Sequence, residues 1–251
     1  MKKIIAILVI ILVIVGGGAW YLLKDDFAGG NTNNNEGLIT FIDRNVPAEH
    51  EARLMSQITR MKNDIGDRVG EKASLDDIER WIGMGNLYYV LGYLAEAREA
   101  TETALQVAPA NYIAQANLGD ILNEMGDKNG ALQSYQKTLE IAQFSPYYVK
   151  YVDFLKIEFP DRKDEYEKAL IETFNKLGRQ PEFLSRLADF YMAEGRYEEA
   201  ITHYEALLPL VQGDHNVFED LIKARAELAK QKEEAKNVEV KDEAQQGSGN
   251  E

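Results

Sequence analysis

Three histidines, His50, His203 and His215, are the chain's whole stock of imidazole, and it has no cysteine. Histidine is the side chain whose ordinary pKa puts its charge change near neutrality. Thiolates and imidazoles also supply most metal ligands and many covalent nucleophiles. His203 stands beside Tyr204 and His215 beside Asp214, and no second histidine lies four residues from either. The carboxylates are scattered over the faces of would-be helices, where charge runs are usually solvated surface. Gly16, Gly17 and Gly18 lack the strand–turn–helix setting of a phosphate loop. These residues predict no enzyme, no metal site and no cofactor. With 28 Lys+Arg against 42 Asp+Glu the net charge is −14, which repels phosphate backbones and argues against nucleic acid. One denser group, Tyr147, Tyr148, Tyr151, Phe154 and Phe159, reads either as core packing or as the wall of a peptide or ligand site.

The elements around these residues set the expected compartment. Lys2 and Lys3 precede IIAILVIILVIVGGGAWYLL, residues 4–23, an uncharged run of twenty. At 1.5 Å per residue such a helix spans about 30 Å, the hydrocarbon thickness of a bilayer. Trp20 and Tyr21 fall at its far end, and the leading lysines predict a cytoplasmic N-terminus with the rest across the membrane. A cleaved signal peptide is the rival reading, with Gly17 and Ala19 as small residues before a cut. Residues 24–45, with the Gly/Asn tract AGGNTNNNEG, read as a flexible tether. Residues 46–73 form a helical segment in which Leu54, Ile58, Met61 and Ile65 share one face. Ser74 and Asp77 then have the spacing of a capping box.

From there the chain is periodic. Residues 78–111 place Trp81, Gly85, Tyr88, Gly92, Ala97, Ala104 and Pro109 at positions 4, 8, 11, 15, 20, 27 and 32 of a 34-residue frame. Residues 112–145 repeat it with Leu118, Gly119, Gly126, Ala131 and Tyr135, and residues 181–214 with Leu187, Ala188, Tyr191, Gly195, Ala200 and Tyr204. Small residues at positions 8 and 20 let two helices approach closely, and large ones fill the space around them. Residues 146–180 fit poorly, being broken by Phe159-Pro160 and one residue too long, but still read as two amphipathic helices. Residues 215–232, with the stripe Val217, Leu221, Ala224 and Leu228, read as a capping helix, and residues 233–251 as a disordered tail.

The 74–214 stretch resembles the tetratricopeptide repeat family, most closely over 78–111 and 181–214. The resemblance implies an all-α solenoid of helix pairs whose first helices line a concave groove at positions 2, 5, 9, 12 and 13. Carried over, those positions are Glu79, Ile82, Asn86, Tyr89 and Val90, then Ile113, Ala116, Asp120, Asn123 and Glu124, then Glu182, Ser185, Asp189, Met192 and Ala193. The expected partner-binding set is Asn86, Tyr89, Asp120, Asn123, Glu124, Ser185, Asp189 and Met192. The family's clamp for C-terminal carboxylates needs lysine at position 5, which is absent here. The mildly acidic groove therefore suits a basic or neutral protein segment. The expected role is a membrane-anchored, extracytoplasmic interaction scaffold or assembly factor of a bacterial envelope, with self-association open. The alternative is a ligand-binding sensor or enzyme-associated subunit using residues 146–180.

The anchor is directly testable. The protein should remain in the membrane fraction after carbonate washing, with residues from 24 onward open to external protease. Recovery of a soluble chain beginning near Trp20 would establish the signal-peptide reading instead.

Overall fold

A computed structural model describes residues 37–212 and 214–247. The apolar run 4–23 and the Gly/Asn tract lie outside the described residues. Among those described, no helix is long and apolar enough to cross a membrane.

Ten α-helices, and no sheet strand, make up the described residues: α1 (Ala48–Ile65), α2 (Leu75–Leu91), α3 (Leu94–Val107), α4 (Tyr112–Met125), α5 (Lys128–Ile141), α6 (Ser145–Glu158), α7 (Lys163–Leu177), α8 (Pro181–Ala193), α9 (Tyr197–Leu207) and α10 (His215–Gly247). Consecutive helices pack as neighbours, α2 on α3, α4 on α5 and α8 on α9 most extensively. This is the all-α solenoid of helix pairs that the sequence spacing predicts.

Each pair closes over small residues. Ala97, Ala131, Ala188 and Ala200 are fully buried. A methyl group added at Gly85 would sit 2.5 Å from Thr101 Oγ1, and one at Gly119 would sit 2.6 Å from the Tyr135 ring. Separations under 3 Å leave no room for a Cβ, so glycine at these sites fixes how near the helices come. Position 8 of the irregular 146–180 unit is Asp153, which bonds outward to Arg186 on α8, Nε to Oδ1 at 2.9 Å and Nη2 to Oδ2 at 2.9 Å. Without the small contact, α6 and α7 pack less extensively than the other pairs.

The ends of the stack follow local rules. The stripe of α1 turns inward, burying Ile58 and Ile65. Ser74 Oγ accepts the Asp77 N–H while Asp77 accepts the Ser74 N–H at 2.9 Å, so the capping box forms. Arg68 also reaches Asp77, Nε at 3.0 Å and Nη2 at 2.8 Å. These donors, the Arg68 guanidinium foremost, hold that fully buried carboxyl well below the usual carboxylate range.

Two expectations are corrected. Residues 39–45 are not a free tether but an extended strap along the α2–α3 turn, described below. The helix that begins at His215 does not stop at 232 but continues to Gly247. Leu221 and Ala224 bury against the stack, and beyond them the run is rich in Glu, Lys, Ala and Gln, good helix formers with no glycine until Gly247. Low hydrophobicity there means little packing, which is a different property from no helix.

Gly119→Ala and Ala97→Leu should each overpack a helix pair, at a cost of about 1–3 kcal/mol. Ala95→Leu, on the exposed side of α3, should leave the thermal midpoint nearly unchanged. Equal midpoints for all three variants in a calorimetric scan would contradict the close-contact geometry.

Candidate functional site

The expected groove residues separate into those spent on the fold and those left available. Asp120 lies at position 9 on α4, and Tyr135 at position 24 on α5 donates its hydroxyl to it at 2.7 Å. The last repeat copies the arrangement, Tyr204 donating to Asp189 at 2.8 Å. Asp120 also receives Lys150 Nζ from α6, at 2.8 and 2.6 Å to its two oxygens. Both aspartates therefore tie helices together, Asp120 across two repeats. Ala116 is buried and presents nothing to a ligand.

Asn86, Tyr89 and Asp120 come together, with Val90, Asn117 and Ile121, around a shallow cleft of about 190 Å³ between α2 and α4. Asn86 accepts from Asn117 Nδ2 at 2.8 Å and is exposed. Asn123 lines the next cleft, of about 410 Å³, together with Tyr135, Val149, Phe154 and Ile157. The rim charges of that cleft are already engaged: Lys150 with Asp120, Asp153 with Arg186 and Glu158 with Lys128. Asn123 and Ser185 make no side-chain hydrogen bond among the described residues. Ser185, Asp189 and Met192 sit on α8 and line neither cleft. The aromatic group of α6 resolves largely into packing, since Tyr148 and Phe154 are buried and Tyr147 meets the Tyr112 ring at 5.7 Å.

Tyr89 and Glu124 hold the feature that periodicity does not reveal. The Tyr89 hydroxyl donates to Glu124, and Arg44 Nη2 donates to the other oxygen of the same carboxylate. The Arg44 guanidinium lies over the Tyr89 ring, 5.0 Å from its centre. The strap that brings Arg44 there is fixed through its backbone: Ile39 N–H to Met125 O at 2.9 Å and Ile42 N–H to Gly92 O at 2.9 Å, with Thr40 O accepting Leu94 N–H at 2.9 Å and Ala95 N–H at 3.2 Å. Thr40 thus caps the first turn of α3. In the next repeat Asp127 performs that task with its own side chain, accepting the Gly130 N–H at 2.8 Å. Tyr93 stands in the equivalent place and makes no such bond. Among the described residues no group of three or more carboxylates and histidines is arranged to hold a metal ion.

Burial, followed by the neighbouring carboxylates, pushes the phenols of Tyr89, Tyr135 and Tyr204 far above their ordinary range. Burial likewise raises Tyr166 and Tyr191 to about 12. An unfolded phenol ionises near 10, so these groups leave stability unchanged below that pH and remove it as pH rises above. Absorbance at 295 nm should show a fraction of the 13 tyrosines ionising only together with loss of helicity in strong alkali. Smooth ionisation of all of them near pH 10, with helicity intact, would contradict the buried phenol–carboxylate pairs.

Residues 82–146 match one tetratricopeptide repeat family model and residues 184–216 another. No curated protein matches the chain. Among solved structures it resembles the C-terminal part of a TPR repeat-containing protein from Cytophaga hutchinsonii, at 15% identity and a TM-score of 0.56, covering 73% of this chain and 69% of that one. A tetratricopeptide repeat protein from Parabacteroides merdae is similar at 16% identity and a TM-score of 0.52, covering 76% and 73%. The MamA protein follows at 19% identity and a TM-score of 0.50, covering 64% and 88%. At such identities the likeness is one of fold. Two stretches of the chain thus carry tetratricopeptide repeats, and the described helices share the helix-pair fold of tetratricopeptide proteins.

Proposed function

We propose that the chain is a protein-interaction scaffold that binds an extended protein segment along the first-helix face of its repeats. The observation that carries this is the pair of adjoining clefts lined by α2, α4 and α6, with Asn86 and Asn123 on their walls and apolar Val90, Val149 and Ile157 beside them. Amide side chains can pair with an extended backbone, and apolar recesses can take alternate side chains. The net charge of −14 favours a basic or neutral partner over an acidic one. Within the same proposal, the uncharged run 4–23 anchors the scaffold in a membrane and holds the repeats outside the cytoplasm, as an assembly factor would require.

Affinity capture after membrane-permeant crosslinking tests the reading. Asn86→Ala combined with Asn123→Ala should weaken capture of the partner at least tenfold, about 1.4 kcal/mol, with helicity unchanged. Removal of residues 240–251 should leave capture nearly intact. Capture that survives the double substitution and fails on the truncation would move recognition to the C-terminal helix.

A further inference from the structure

Arg44 comes from outside the repeats and arrives where a ring and a carboxylate of two different repeats converge. Tyr89 supplies a face for the guanidinium and Glu124 an acceptor, and the two are locked to each other by the Tyr89 hydroxyl. A planar cation stacked on an aromatic ring while donating to a carboxylate is the arrangement in which arginine differs most from lysine.

The strap that carries Arg44 is held in the manner of a bound peptide. Its hydrogen bonds to the repeats, apart from that of Arg44, run through its main chain, as in strand addition. Its apolar side chains stay half outside, Ile39 at 47% and Phe41 at 51% exposure. The fit is incomplete, because Arg44 Nε is buried with no acceptor. The seat is particular to the first repeat. Gly92 has φ +83°, and a Cβ there would lie 1.8 Å from the Ile42 carbonyl oxygen, whereas one at Gly126 or Gly195, the matching turns, meets nothing within 4 Å. The α2–α3 turn thus has a backbone laid against its glycine, and the matching turns have open space there.

We infer that Tyr89 and Glu124 form a guanidinium-binding site, filled in cis by Arg44, and that the partner segment is an extended one carrying an arginine that replaces residues 39–45. This rests on the reading of the first-helix face as the binding surface and adds the chemistry of what it selects. A tethered occupant competes at high effective concentration, so a free ligand binds weakly until the strap is loosened. The acidic chain favours such a cationic segment, and the unsatisfied Nε gives a better-fitting arginine something to gain.

The probe is a labelled synthetic peptide with the sequence of residues 38–45, LITFIDRN, followed by fluorescence anisotropy against the full-length protein. Ile42→Pro with Arg44→Ala removes one backbone bond and the guanidinium of the strap. That variant should bind the peptide at least tenfold more tightly than the native chain, with Arg44→Ala alone in between. Replacing the peptide's arginine with alanine, or adding Glu124→Gln to the loosened protein, should each lose at least tenfold. Lysine in the peptide should recover only part of the alanine loss. Circular dichroism on every variant confirms that the repeats stay helical. Equal binding by native and loosened chains, undetectable binding by both, or indifference to the peptide's arginine would overturn the inference. Such a result, with capture still lost in the Asn86→Ala, Asn123→Ala variant, sinks the guanidinium site alone. Peptide binding as expected, with capture unaffected by that variant, sinks the wider groove reading alone.

Discussion

Two helices can approach until their backbones nearly touch only where neither places a side chain between them. In this protein that condition is met at Gly85 beside Ala97 and Thr101 and at Gly119 beside Tyr135, with fully buried Ala188 and Ala200 at the matching positions of the last repeat. The short separation sets what else is reachable. It brings the tyrosine of position 24 within 2.7–2.8 Å of the aspartate of position 9, twice over. It also leaves the first helices side by side, with clefts between them instead of a continuous seam. Where the small residue is replaced by Asp153, the pair α6–α7 loosens and the larger of the two clefts opens against it.

Charge then does between repeats what close packing does within them. Asp153 holds Arg186, Glu167 holds Arg196 at 2.8 Å, Lys163 reaches Glu194 at 2.7 Å, and Lys150 reaches Asp120. Exposed pairs of this kind contribute little each, but they fix register, since each joins specific turns of successive repeats. The same economy disposes of many carboxylates on the would-be binding face. The groove is less acidic in effect than its residue types suggest, because Asp120 and Glu124 are already paired with cations.

The segment from outside the repeats also serves helix ends. The first N–H groups of a helix have no internal acceptor. In the second repeat Asp127 supplies one, and in the first the carbonyl of Thr40 does so from the strap, while the Ile39 N–H satisfies the last carbonyl of α4. One short extended stretch therefore completes two helix ends and delivers Arg44 to Tyr89 and Glu124. Any segment that replaced the strap would therefore also have to take over the capping.

The sequence by itself determined whatever repeats or is local. Glycine and alanine at fixed spacing dictate the helix pairs, Ser74 and Asp77 dictate the cap, and the stripe through Leu221 and Ala224 dictates the last docked helix. Each of these depends on neighbours within a turn or on a period that can be counted. The tertiary structure alone decided which groove positions are free. That Asp120 and Asp189 serve the fold while Asn123 stays unoccupied follows from which side chains face one another across helices, and the spacing within either helix carries no such information. The placement of residues 39–45 is further still from view. Its contacts join residues about 50 to 85 positions apart, chiefly through backbone groups that every residue type possesses, and a backbone hydrogen bond leaves no mark in the sequence except at Gly92, where any side chain would block it.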